Sequence, residues 1–234
     1  MHRALLLASL FLLPSPLLHA QNAASASGHW QGKIQMPNQP LDMIVDLAKS
    51  PAGAWIGSVS FPGSTDVPLG NISVDDTSVR FTVALPGNPS LVGAVSADGR
   101  RFSGRASNAE GSVPFQLTRM GEASVRVPPP SSASSKEFEG AWEGAIEVDG
   151  NVRRILLKLS SAPDGTATAT LVSVDKGNVE IPVTTVTLQD KQLHLDVRSV
   201  AGSYRGVLGG AGEIAGEWTE GATQLPLKFK RGAR

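Results

Sequence analysis

The chain has 234 residues, with 21 Lys plus Arg against 21 Asp plus Glu and no cysteine. A formal net charge of zero gives no long-range electrostatic handle for nucleic acid or an anionic membrane. Lacking cysteine, the chain forms no disulfide, no thiolate metal site and no cysteine nucleophile, so each folded unit must be held by its apolar core alone.

Met1-His2-Arg3 is a short basic start, Ala4 to Leu18 is apolar apart from Ser9, Ser15 and two prolines, and Leu18-His19-Ala20 ends on a small residue. That layout is a secretory signal peptide cleaved after residue 20, which places the mature chain in the periplasm or outside the cell. Pro14 and Pro16 interrupt the segment, which is shorter than the ~20 residues a spanning helix needs. No later segment is long and apolar enough to span as a helix. No cysteine follows the cut, so a lipid anchor is not expected. Loss of Arg3 leaves the mature chain near −1.

Beyond residue 20 no segment carries apolar residues at helical spacing. Short alternating runs separated by Gly, Pro, Asn and Asp predict an all-β protein. The strongest pattern is a duplication. Gly28-His29-Trp30-Gln31-Gly32-Lys33-Ile34 returns as Gly140-Ala141-Trp142-Glu143-Gly144-Ala145-Ile146, 112 positions later. Met43–Leu47 lies over Ile155–Leu159, and Pro51-Ala52-Gly53 over Pro163-Asp164-Gly165. Val67-Pro68-Leu69 pairs with Ile181-Pro182-Val183 after small insertions. At the end, Val113–Arg119 lies over Leu225–Arg231. Between the copies, a run of three prolines and several serines over 125–135 reads as a linker. The expected organisation is a signal peptide over 1–20, one repeat over 27–121, a linker over 122–137 and a second repeat over 138–232.

Period-two alternation sets the strand faces. In the second copy Trp142, Gly144 and Ile146 share one face, as do Ile155, Leu157 and Leu159. Leu193, Leu195 and Val197 face away from His194, Asp196 and Arg198. Tyr204, Gly206 and Leu208 follow, then Ile214, Gly216 and Trp218, then Leu225, Leu227 and Phe229. With segments near 167–174 and 183–188, about eight short strands fit in one repeat. An open sheet of this kind would leave bare edges and an uncovered apolar face; closure removes both. The expectation is two tandem small antiparallel up-and-down β-barrels, with glycines on the inward phase permitting sharp bending. A small sandwich is the alternative.

The opening Gly28-His29-Trp30 and Gly140-Ala141-Trp142, with Arg119 and Arg231 at the matching ends of the last strands, resembles the calycins: lipocalins, fatty-acid-binding proteins, avidins and bacterial metalloprotease inhibitors. The resemblance implies a small ligand-binding or inhibitory barrel closed at one end by an Arg packed across the first-strand Trp. Here those residues would be Trp30 with Arg119 and Trp142 with Arg231. The pattern Tyr204-x-Gly206-x-Leu208, Ile214-x-Gly216-x-Trp218 and Leu225-Pro226-Leu227-x-Phe229-x-Arg231 is also similar to an uncharacterised β module found upstream of exported bacterial α/β-hydrolases. The first copy departs from it, with Ala106 where Trp218 stands.

Catalytic motifs are not found. There is no Gly-x-Ser-x-Gly elbow. After cleavage only His29 and His194 remain, both on the outward phase of different repeats, so neither a triad nor a two-His metal site is expected. Asp75-Asp76 and Asp164-Gly165 read as turns, and no loop supplies the converging oxygens of a Ca²⁺ site. Glu217 and Glu220 flank Trp218, but Glu217 points outward, against a glycosidase pair. Gly209-Gly210-Ala211-Gly212 precedes no helix and reads as a hairpin turn. No cofactor is expected.

Trp55, Tyr204 and Trp218 are the candidates for a ligand surface; core packing is the plainer reading. The expected function is that of a non-catalytic binding protein taking a small apolar molecule or an exported protein partner. The alternatives are a calycin-type inhibitor of a secreted protease or hydrolase, with Gln21–Ser27 as an N-terminal trunk, and an accessory module of a hydrolase system. Two linked copies would confer avidity for a repetitive target.

Overall fold

The computed structural model describes residues 26–232 apart from Thr77, Asp149 and Ala211. The segment read as a signal peptide, and residues 21–25 of the N-terminal trunk, lie outside the described residues. No helix among the described residues is long and apolar enough to cross a membrane.

The first repeat contributes β1 (Gly28–Gln35), β2 (Pro40–Lys49), β3 (Trp55–Ser60), β4 (Val67–Val74), β5 (Val79–Val83), β6 (Ser90–Val95), β7 (Arg101–Asn108) and β8 (Gly111–Gly121). Each strand pairs with its sequence neighbour, and β8 returns to β1, giving a closed antiparallel barrel. Alternation produces the core: Trp30, Val45, Leu47, Phe81, Val83, Phe102 and Leu117 are fully buried. Their neighbours on the strands face outward, as with Lys33 and Asp42, which form an ion pair at 2.6 Å.

The second repeat contributes β9 (Gly140–Val148), β10 (Asn151–Ser161), β11 (Ala167–Ser173), β12 (Val179–Pro182), β13 (Thr185–Gln189), β14 (Gln192–Val197), β15 (Gly202–Leu208), β16 (Glu213–Glu220) and β17 (Thr223–Arg231). They form one curled antiparallel sheet in the order β12-β11-β10-β9-β17-β16-β15-β14-β13. The inward residues make a second core around Trp142, Leu157, Leu195, Tyr204 and Phe229. The extra strand arises at one position. In the first repeat β4 is continuous, pairing at its start with β3 and along its length with β5. Its counterpart breaks after Pro182, so β12 pairs only with β11 and β13 only with β14.

The chain between the repeats crosses the seam that this break leaves. Ser132 N donates to Val186 O at 2.8 Å, and Ala167 N donates to Ser132 O at 2.8 Å. Ala133 pairs antiparallel with Thr166. The Oγ atoms of Ser131 and Ser132 accept from Val186 N at 3.0 Å and Leu188 N at 3.1 Å. The unpaired edges of β11 and β13 are thus satisfied by residues 131–134, which lie between them.

Tight curvature comes from paired glycines. Gly93 faces Gly104 across β6 and β7, and Gly206 faces Gly216 across β15 and β16. A Cβ on Gly216 would stand 2.0 Å from Arg205 O and 2.5 Å from Gly206 Cα; on Gly104 it would stand 2.1 Å from Val92 O. These are backbone atoms and have nowhere to retreat, so the crease exists because no side chain occupies it. Gly216→Ala is therefore expected to cost about 1–3 kcal/mol by overpacking, read by chemical denaturation. Gly210→Ala, where an added Cβ meets nothing within 4 Å, should be neutral by comparison. Equal effects would refute the crease.

Candidate functional site

Each repeat has two unlike ends. At one, the first and last strands bring a tryptophan and an arginine into register: Trp30 with Arg119, and Trp142 with Arg231. In both, the guanidinium carbon lies 4.2 Å from the indole centroid. The indole N–H groups donate backwards, Trp30 to Ala26 O at 3.1 Å and Trp142 to Phe138 O at 2.7 Å. Arg119 Nε donates to Gly99 O at 2.7 Å and its Nη1 to Ser27 O. Arg231 donates through Nη1 to Glu139 O at 2.7 Å and through Nη2 to Glu137 O. Burial pulls the Arg119 pKa below its ordinary value, with Glu122 acting in the opposite sense. The cation is held by a π face and carbonyls.

The opposite end of the first barrel opens into a cavity of about 590 Å³. Its apolar walls include Ile34, Phe61, Val83, Leu85, Leu91 and Ala106, and Glu110 is the single ionisable group among its lining residues. Met36, at the rim, is 45% exposed. The corresponding end of the second repeat holds only about 180 Å³, lined by Ile155, Tyr204, Trp218 and Phe229, with Arg153, Lys176 and Glu220 also in its wall.

One pair of positions accounts for much of the difference. Leu91 faces Ala106 across β6 and β7; Tyr204 faces Trp218 across β15 and β16. The repeat alignment superposes these pairs, so a leucine and an alanine stand where the second copy has a tyrosine and a tryptophan. Tyr204 is fully buried. Its hydroxyl lies 3.1 Å from Ile214 O and 3.2 Å from Leu227 O, and its ring meets Phe229 edge-on at 5.2 Å. Trp218 Nε1 donates to Glu220 Oε2 at 3.3 Å.

Tyr204 and Trp218 therefore share one small cavity, and Trp55 is not with them. Trp55 is half-buried at the arginine-sealed end of the first barrel, with Lys49 Nζ 5.3 Å from its ring centroid. The first-barrel mouth was not among the candidate positions, because its mark in the sequence is a small residue, Ala106, rather than a reactive one.

The two histidines among the described residues, His29 and His194, lie on outer faces. His29 Nδ1 is 3.0 Å from Asp46 Oδ1. Asp46 is only 7% exposed and also accepts from Ser124 N at 2.8 Å. Ser58 flanks Asp46 on the other side. The carboxylate thus stands between imidazole and hydroxyl, two strands and about 10 Å apart, which pairs no nucleophile with a base. His194 lies beside Arg205 on the next strand; burial and that cation lower its pKa, with Asp196 opposing. Among the described residues no three His, Asp or Glu side chains are grouped so as to hold a metal ion.

No family model matches the chain, and no curated protein matches it. Among solved structures it is similar to a protein of unknown function from the DUF3598 family of Nostoc punctiforme PCC 73102. That match has 12% identity and a TM-score of 0.30, covering 89% of this chain and 97% of the other. It is also similar to a provisionally assigned outer membrane protein of Bacteroides fragilis NCTC 9343, at 13% identity and a TM-score of 0.32, covering 90% and 99%. Likeness at this level assigns neither family nor activity.

The buried phenol offers a direct probe of the second core. Burial raises the Tyr204 pKa well above its ordinary 10.0. The folded chain then binds this proton more tightly than the unfolded chain, so the contribution to stability is intact below about pH 10 and is lost as pH rises further. Tyr204 is the only tyrosine. Phenolate absorbance should therefore appear only together with loss of the β-sheet circular dichroism signal. A simple titration near the ordinary value, with the signal intact, would contradict the buried placement.

Proposed function

We propose that the protein is an exported, non-catalytic binding protein that takes a small apolar molecule into the open mouth of its first barrel, in the manner of a calycin. The observation that carries this reading is the mouth itself. Its volume of about 590 Å³ falls within the about 300–1,000 Å³ typical of ligand pockets. Its walls are apolar, and the far end is sealed by Arg119 over Trp30. An interior held open by Leu91 and Ala106 forgoes packing that the sister repeat obtains from Tyr204 and Trp218, and such a sacrifice is expected where binding is served. Export rests on the reading of residues 1–20. The non-catalytic reading is supported by Ser58 lying two strands from His29 with Asp46 between them, and by the missing nucleophile motifs.

The test is saturable fluorescence enhancement of N-phenyl-1-naphthylamine, with native mass spectrometry of protein purified from its own host to reveal a retained molecule. The mature chain should bind the probe. Ala106→Trp, which installs the second repeat's residue, should weaken binding at least tenfold, about 1.4 kcal/mol, with circular dichroism unchanged. No saturable binding by the unaltered chain, or unaltered affinity in a folded Ala106→Trp variant, would overturn the reading.

A further inference from the structure

The mouth of the first barrel is not built by the first repeat alone. One wall is the connection from β3 to β4, where Phe61, Pro62 and Ser64 line the cavity. Within this loop Ser64 N donates to Phe61 O at 3.0 Å, and Ser64 Oγ accepts from Phe61 N at 2.8 Å. Asp66 sits at a left-handed φ of 38°, a conformation that a non-glycine residue keeps only when its surroundings hold it.

The second repeat holds it. Its short 3₁₀ turn, Arg198–Val200, follows β14. Thr65 N donates to Arg198 O at 2.8 Å. Arg198 Nη1 donates to Asp66 O at 3.1 Å and to Arg126 O at 3.3 Å. The guanidinium is aimed by Asp196, whose Oδ2 lies 3.0 Å from Nε, and the Arg198 side chain is only 17% exposed. The backbone of the turn is anchored in its own repeat, with Arg198 N donating to Thr184 Oγ1 at 3.2 Å. Successive residues then serve both repeats: Ser199 lines the first-barrel mouth and Val200 the second-barrel cavity. The Ser199 hydroxyl is shielded from solvent with no hydrogen-bond partner among the described residues. Folding alone rarely tolerates such a group.

We infer that the second repeat is the clamp that completes the first repeat's binding site, with Arg198 as the positioning residue that fixes the Phe61–Asp66 wall around an uncharged apolar occupant. This rests on the function proposed above. Glu110 is the single ionisable lining group and is exposed to solvent, so nothing in the wall neutralises an anionic head and no desolvated carboxylate is aimed at a cationic one. Two independent receptors on a tether would show no dependence of one mouth on a side chain of the other repeat.

The experiment uses the full mature chain, N-phenyl-1-naphthylamine as probe, and amide hydrogen exchange over 61–66. Arg198→Ala should weaken probe binding tenfold or more and speed exchange in that loop. The seam of the second barrel, followed at Val186 and Leu188, should exchange as before. Arg198→Lys should fall between, because a single ammonium does not reproduce the guanidinium's several fixed donors. Should Arg198→Ala fail to fold, Asp196→Asn, which removes the group that aims Arg198, decides by the same two readouts. A folded variant with unchanged affinity and unchanged loop exchange overturns the clamp. Failure of the unaltered chain to bind the probe overturns the proposed function instead, and the clamp is then judged by exchange alone: faster exchange over 61–66 supports it and unchanged exchange refutes it.

Discussion

In each repeat an arginine from the last strand lies flat on a tryptophan from the first. This contact joins segments far apart in the chain: Arg119 reaches Ser27, and Arg231 reaches Glu139, each across 92 residues. Closing so long a loop costs conformational entropy before any return, and there is no disulfide to share that cost. The return is concentrated where the ends meet. An indole is buried, its N–H is satisfied by a carbonyl four residues earlier, and a guanidinium that would be costly to bury alone finds both a π face and carbonyl acceptors. With the first and last strands locked together, β1 no longer has a free edge toward solvent, and all the inward residues face one interior.

Once that frame exists, its interior is free to diverge. The two copies keep the Trp–Arg seal and the glycine creases and differ in what fills the other end. The second copy packs Tyr204 against Phe229 and gives the phenol two carbonyls, so its interior approaches the density expected of a core. The first keeps Leu91 and Ala106 and leaves its mouth open. The two copies thus differ in one having an open mouth and the other a packed end, and the packed one carries Arg198.

The strand phases were legible because period two is a strong signal: every inward residue from Leu193 to Val197 and from Ile214 to Trp218 lies where alternation puts it. The barrel expectation follows from the same signal, since closing a sheet of alternating strands covers both of its edges and its apolar face, although alternation also admits a small sandwich. Nine strands in the second copy were not legible. The break after Pro182 depends on what fills the gap, and Ser131 to Ser134 in sequence look like a solvated spacer. Nothing local distinguishes a serine hydroxyl that accepts from Val186 N from one that accepts from water. The candidate site was legible in part. Tyr204 and Trp218 share a cavity, whereas Trp55 belongs to the sealed end. The first-barrel mouth is written as missing bulk, which appears only when Ala106 is read against Trp218.

The segment between the repeats settles how the two halves relate. A loose tether gives a second site an effective concentration set by its length. Here the chain is tied at several places. Ser124 N is held by Asp46 of the first barrel. Residues 131–134 are held in the seam of the second. Arg126 O is held by Arg198, which also holds the first barrel's loop. Each tie satisfies a backbone group that would otherwise need water or another partner. A connection bonded in this way acts as part of the scaffold, so changing its length would open the second barrel's seam and shift Arg198 together. That coupling favours one composite unit over two independently tethered barrels.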